Sequence, residues 1–295
     1  MPYSTNSYWF KFDCLEATTD NRFISVDIPN PVKPSSDTML IILQAEPNAI
    51  ENHREAYIRN HTQYDMILTF DDEVLNACPN ARLCLPACTW IRPEIYNSID
   101  IGRKKLMISS LTGRKNMGAP GHSLRQLFYI NQRLLPSYFK WFRSSFGDPL
   151  PNIQNNPIIA GDIHEKDKLF LDYQFSLVIE NSRQKNYFSE KLIDCLITKT
   201  LPVYWGCPNI SDWFDTRGWI LLESESLAEL RLKTKVMPNY NDYQESIEAN
   251  YQRAKAEFTS HQATIQRVIN LGVVTRVDPE RISADRLDTL NLYGS

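Results

Sequence analysis

The stretch from Tyr173 to Gly206, YQFSLVIENSRQKNYFSEKLIDCLITKTLPVYWG, limits what this chain can fold into more than any other. Phe175 to Glu180 is an apolar run of the kind a strand buried on both faces requires. After Tyr187, the residues Leu192, Ile193, Leu196 and Ile197 recur at helical spacing and lay one apolar stripe on a sheet. Leu201, Val203 and Tyr204 begin a second strand, with Pro202 near its start, where a missing N–H is tolerated. A strand–helix–strand unit of this length is expected to be a right-handed parallel crossover. Ligands of such sheets sit beyond the carboxyl ends of the strands. Glu180, Asn181, Tyr187, Glu190 and Lys191 all fall there.

The chemistry at that point suits a phosphorylated ligand. A helix start offers unpaired N–H groups and a partial positive charge. Lys191 in the first turn opposes the usual charge preference, which makes sense if an anion is bound there. Glu190 suits the helix dipole and can accept hydrogen bonds from ribose hydroxyls. The competing expectation is an ordinary solvated first turn.

The segment ENSRQKNYFSEKLIDC, followed by TLPVYWGCPN, resembles the donor-binding motif of the family 10 glycosyltransferases, the α1,3/α1,4-fucosyltransferases that use GDP-fucose. Asn181 after the apolar strand, Tyr187 six residues on, Glu190-Lys191 three residues later and the Pro202–Gly206 run match that pattern without a gap. The resemblance implies that Asn181, Tyr187, Glu190 and Lys191 contact the guanosine diphosphate and fucose of the donor. It also implies the GT-B fold, two Rossmann-like α/β domains facing each other across a cleft, with the donor held by the second.

Length and composition agree with two soluble domains. The chain has 295 residues, 42% hydrophobic and 23% charged, enough for more than one core. A net charge of −3 excludes a general nucleic-acid binder, which needs a basic face. No run approaches the roughly 20 apolar residues of a transmembrane helix, and the N-terminus lacks the basic-then-apolar pattern of a signal peptide. A cytoplasmic protein of bacterial or viral type, or a form lacking a membrane anchor, is expected. The six cysteines form no CxxC pair, have no histidines at metal spacing and are read as reduced thiols, with Cys195 in the core.

Strands are expected near Thr38–Glu46, Tyr64–Asp71 and Ala81–Pro86, with a helix over Asn48–His61. Residues 1–100 then form an acceptor-side domain and residues 101–275 the donor domain. Residues 276–295 are left as a tail that can pack back on the first. The donor domain opens with a strand, Lys105–Leu111, a loop, Thr112–Gly121, and a helix near Ser123–Leu135. Phe146–Asn156 reads as loop. Trp219–Glu223 reads as a strand, and one long helix runs from Asp242 to Asn270.

The loop holds Gly113, Gly118 and Gly121 with Arg114 and Lys115, and Arg125 follows on the helix. Glycines let a backbone approach phosphate oxygens, and arginine can clasp them with two N–H groups. By resemblance, Arg125 is the basic residue that meets the donor diphosphate, with Lys115 and Arg114 as substitutes. His122 is expected to face solvent at the helix start.

An inverting transfer also needs a carboxylate to take the acceptor proton. Glu46 closes the run MLIILQAE, with Pro47 stopping the strand just beyond it. The family places its base similarly, although in a Gly-Glu-Asn-like context that here reads Ala45-Glu46-Pro47. A solvated strand end is the alternative for Glu46, and Asp71 and Asp72 are the reserves. The resemblance implies no metal and no cofactor, the GDP-sugar being a substrate.

The reaction expected is therefore transfer of L-fucose from GDP-fucose to a hydroxyl of an oligosaccharide acceptor. The alternatives are a transferase of the same fold using another GDP- or UDP-sugar, or a non-catalytic glycan- or nucleotide-binding relative.

Overall fold

The computed structural model describes residues 3–5, 22–33, 35–115, 117–145, 150–159 and 165–270. Cys14, the 276–295 tail and part of the loop expected over Phe146–Asn156 lie outside them. The chain divides into two compact units, one of Met1–Ala45, His53–Leu85 and Gln262–Ser295, the other of Glu46–Asn52 and Pro86–His261.

In the first unit five parallel strands lie side by side in chain order. They are β1 (Tyr3–Thr5), β2 (Arg22–Val26), β3 (Met39–Leu43), β4 (Met66–Thr69) and β5 (Ala81–Leu83). The helix expected over Asn48–His61 is shorter, α1 (Arg54–Asn60). Pro47 instead turns the chain, its carbonyl accepting the N–H groups of Ile50 and Glu51. A second helix, α2 (Asp72–Ala77), starts on Asp71, whose carboxylate accepts the N–H groups of Glu73 and Val74 at 2.9 and 3.4 Å. The same carboxylate pairs with Arg54 Nε at 2.9 Å and is buried. Asp71 is therefore a helix cap, and that role, rather than proton transfer, explains its place at the strand end.

The second unit holds α3 (Pro93–Tyr96), then six parallel strands. These are β6 (Leu106–Thr112), β7 (Phe139–Ser144), β8 (Ile158–Ile159), β9 (Tyr173–Ile179), β10 (Leu201–Trp205) and β11 (Ile220–Leu221). Their spatial order is β11-β10-β9-β6-β7-β8. Chain direction across the sheet therefore reverses between β6 and β9. That reversal point of a doubly wound sheet is where its ligands bind, beyond the carboxyl ends of the strands. The crossover from β9 to β10 runs through α5 (Glu190–Ile197), as the apolar pattern predicts, and Leu192, Ile193, Cys195, Leu196 and Ile197 are buried.

The strands expected in the first unit are shorter than their apolar runs, β3 stopping at Leu43 rather than Glu46, and two helices also differ from their expected bounds. The helix after β6, α4 (Pro120–Ile130), begins three residues early. Pro120 is pre-set for a first helical position, where its missing N–H costs nothing. The long helix expected over Asp242–Asn270 is two, α7 (Gln244–Glu257) and α8 (His261–Asn270), with the short α6 (Leu227–Lys233) before them. Phe258 breaks it. Its ring packs against Phe188 and Phe214, centroids 5.5 and 6.0 Å away, and its carbonyl accepts the N–H of Thr89 at 2.8 Å. Beyond the break, Ile265 and Ile269 of α8 pack into the first unit's core with Ile24, Ile41 and Leu43.

Candidate active site

β6 and β9 pair in the sheet, and a glycine brings the start of α4 against the end of β9. A side chain at Gly121 would place its Cβ 1.7 Å from the carbonyl oxygen of Glu180, so only glycine lets the start of α4 lie against the end of β9. Gly121 also donates its N–H to the Asn181 carbonyl at 3.0 Å. Of the loop glycines, Gly118 serves a turn instead, with φ at +75°.

One turn into α4, Arg125 donates from Nη1 to the Ile179 carbonyl at 2.5 Å and from Nη2 to Asn181 Oδ1 at 3.2 Å. A guanidinium only donates, so the amide oxygen of Asn181 faces it and the amide N–H groups point away. The Asn181 side chain lies close enough to Glu46 to help hold its carboxyl pKa down. A second tie lies beside it, where the Asn48 N–H donates to Gln184 Oε1 at 2.9 Å. Burial raises the Glu46 carboxyl pKa and Glu190 adds to that, while Lys191, Lys115 and Asn181 oppose it. A carboxylate raised above its ordinary range in this way is better suited to accept a proton near neutrality.

Glu180 is fully buried at the end of β9. Its two oxygens accept from Ser189, Oε1 from the N–H at 3.0 Å and Oε2 from the hydroxyl at 2.6 Å. Ser189 in turn caps α5, its hydroxyl accepting the Lys191 N–H at 3.3 Å. Gly206 leaves room for this carboxylate, since a Cβ there would stand 2.6 Å from Glu180 Cγ. Glu180 thus fixes where α5 begins.

The first turn of α5 carries the expected pair. Lys191 Nζ lies 3.1 Å from Glu190 Oε1 and 3.2 Å from Ser189 Oγ. Burial works against the Glu190 charge, but Lys191 and Lys166 outweigh it and bring its pKa down to about 2. Tyr187 is buried, and its phenol is pushed well up by burial and then by Glu180, Glu46 and Glu190, so it remains a hydroxyl donor.

His122 is buried rather than solvent-facing, because Nδ1 accepts the Met117 N–H at 3.1 Å and folds the loop over it. Burial, then the cations Arg125, Lys115 and Lys191, bring it down to about 4. Burial does most to hold this histidine neutral, and the three cations that add to it leave this corner electropositive, as an anion site must be. Arg114 and Lys115 lie exposed on the same loop.

Asn181, Tyr187, Glu190, Lys191, Arg125 and Glu46 are thus brought together around the ends of β6 and β9. Three contributors went unnoticed in the sequence: Gln184, Lys166 and Asp194. Glu180 is where the sequence puts it, at the ligand end of an apolar strand, but its part in holding Ser189 is visible only in the structure. The five described cysteines are buried free thiols. Among the described residues, no helix is long and apolar enough to cross a membrane.

Residues 153–264 match the family model described as glycosyltransferase family 10 (fucosyltransferase), C-terminal part. Over 87 residues the chain is 29% identical to the α-(1,3)-fucosyltransferase FucT of Helicobacter pylori, covering 26% of this chain and 18% of that protein. Over 77 residues it is 35% identical to GDP-fucose protein O-fucosyltransferase 3 of Bos taurus, covering 26% and 16%. The chain therefore spans less than a fifth of the length of these curated relatives. The crystal structure of TarM superposes with a TM-score of 0.54 at 11% identity, over 85% of this chain and 54% of that one. That likeness shows the fold, α/β of the GT-B class.

Proposed function

We propose that this chain, whose residues 153–264 match the family 10 glycosyltransferase C-terminal model, transfers L-fucose from GDP-fucose to a hydroxyl of a glycan acceptor, with inversion at the anomeric carbon. The observation that carries this reading is the start of α5, where Glu180 and Ser189 fix the first turn and Lys191 Nζ lies 3.1 Å from Glu190 Oε1. Lys191 and Lys115 act there on the nearby Glu46 carboxylate, whose pKa burial raises, which supports a base and an anion site standing together.

In this mechanism the acceptor oxygen attacks the anomeric carbon as the bond from that carbon to the β-phosphate oxygen breaks. The acceptor proton passes to Glu46, and GDP leaves with the bonding pair. Lys191, Lys115 and the positive end of the α5 dipole lie where they can meet the diphosphate charge that develops. Arg125 acts one step back. Its guanidinium is committed to the Ile179 carbonyl and Asn181, so it holds the Asn181–Glu46 pair in register. Glu190, kept ionised, can accept from ribose hydroxyls, and Tyr187 can donate to the donor. No metal is needed in this scheme.

The reading is tested by incubating the chain with GDP-fucose and a panel of oligosaccharide acceptors in EDTA, following GDP release and the anomeric proton of the product. A β-configured donor yielding an α-fucoside is the expected result. Transfer from a UDP-sugar in preference to GDP-fucose, or retention of configuration, overturns it.

A further inference from the structure

Glu190 has two ammonium neighbours on the same oxygen, and they are held very differently. Lys191 Nζ lies 3.1 Å from Oε1, and its side chain is 27% exposed. Lys166 Nζ lies 3.7 Å from that oxygen, and its side chain is 11% exposed. Lys166 comes from the short 3-10 turn Lys166–Leu169 before β9 and is fixed on every side. Asp194 Oδ2 is 2.6 Å from its nitrogen, and the Trp90 ring centroid is 4.4 Å away. The other oxygen of Asp194 accepts from the Thr89 hydroxyl and the Trp90 N–H, both at 2.7 Å. Burial works against the Lys166 charge, but Asp194 and then Glu190 outweigh it and leave its pKa raised.

A diphosphate that draws Lys191 to itself takes away the nearer of the two cations beside Glu190. An inward-facing carboxylate left without a cation is unfavourable, and that cost would be subtracted from donor affinity. Lys166 does not move with Lys191, because Asp194 and Trp90 hold it.

We propose that Lys166 is the standing counter-ion of Glu190, a positioning residue that leaves Lys191 free to turn from Glu190 to the diphosphate of a nucleoside-diphosphate donor. The proposal rests on the donor-site reading above. It assigns Lys166 no contact with the donor. Its effect is on the diphosphate alone and is routed through Glu190.

The test compares binding of GDP, guanosine and inorganic pyrophosphate by titration calorimetry. Lys166→Met alone leaves the Asp194 carboxylate buried and unpaired, so it is combined with Asp194→Asn, whose amide oxygen can still accept from Thr89 and Trp90. Lys166→Gln, which keeps an N–H to Asp194 without the charge, is a second route should the pair fail to fold. Lys166→Arg is the rescue. Loss of the charge should weaken GDP and pyrophosphate on the order of tenfold, the scale of one charge contact, and leave guanosine within twofold. Lys166→Arg should restore GDP binding. In a Glu190→Gln background the same change should no longer move GDP affinity, because no carboxylate then competes for Lys191.

Equal weakening of GDP and guanosine, or an undiminished effect in the Glu190→Gln background, overturns the proposal in favour of simple structural support. Wild-type binding of GDP with unchanged affinity in the Lys166 variants sinks the role of Lys166 and leaves the donor site standing. A wild-type chain that binds neither GDP nor pyrophosphate overturns both.

Discussion

Replacing Gly121 by alanine tests the geometry on which the whole site depends. The added methyl would lie 1.7 Å from the Glu180 carbonyl oxygen and 2.8 Å from its carbon, where ordinary contact begins at 3.4 Å. Both obstacles are backbone at the end of a buried central strand, so neither can swing aside as a flexible side chain would. The start of α4 must withdraw by more than an ångström. The withdrawal stretches the bond from the Gly121 N–H to the Asn181 carbonyl, now 3.0 Å. It also pulls Arg125 from the Ile179 carbonyl and Asn181. Overpacking of this kind costs about 1–3 kcal/mol, and two or three weakened hydrogen bonds add about 1 kcal/mol each, giving about 3–6 kcal/mol. For a unit of this size that is a drop of roughly 6–24 °C in Tm, read by differential scanning calorimetry. Because Asn181 loses its partner, turnover should fall more than the residual folded fraction explains. An alanine variant that melts within 2 °C of wild type and keeps its turnover would refute the packing of α4 on β9.

Glu46→Gln should lower turnover on the order of a hundredfold or more while GDP-fucose still binds, measured by GDP release beside calorimetry. The pH profile carries the matching sign. Glu46 must be ionised to act and its pKa is raised, so turnover should fall as pH drops through a limb above the ordinary carboxylate range, and Asn181→Asp, which cannot donate to Glu46, should move that limb higher still. Glu190, held down to about 2, contributes stability that is fully present above its ordinary value and is lost as pH falls towards 2. Acid unfolding followed by circular dichroism should therefore begin at higher pH in Lys191→Met. Lys104, buried with its ammonium donating to the Phe170 and Tyr173 carbonyls and Thr200 at 2.7, 3.0 and 2.7 Å, should cost about 2–4 kcal/mol as Lys104→Met in chemical denaturation, because two buried carbonyls lose a donor.

Much of this was legible in the chain and some was not, for physical reasons. The β9–α5–β10 crossover could be read because everything that specifies it is local: the apolar run, the helical stripe and the cap lie within one stretch. Glu46 was expected to close a strand, but β3 stops at Leu43 and leaves it in the loop beyond, and its proximity to Asn181 joins residues far apart in sequence and leaves no pattern. Lys166 is the extreme case. It lies in an ordinary charged KDKL turn, and only the fold brings it to Asp194 and Glu190. The break at Phe258 was hidden because helical periodicity continues through it, and tertiary capture of the ring overrode local propensity. β7 was missed although Phe139, Lys140 and Trp141 alternate buried, exposed, buried. His122 was misplaced because a helix start is usually wet, whereas here the loop residue Met117 hydrogen-bonds back onto the ring.

The most direct test of the central claim is a calorimetric titration of the purified chain, in EDTA, with GDP-fucose, GDP-mannose, GDP and a set of UDP-sugars. The account predicts saturable binding of GDP-fucose and GDP, lost in Lys191→Met, and none of the UDP-sugars. Binding of a UDP-sugar in preference to GDP-fucose, or GDP binding that survives Lys191→Met unchanged, would contradict it.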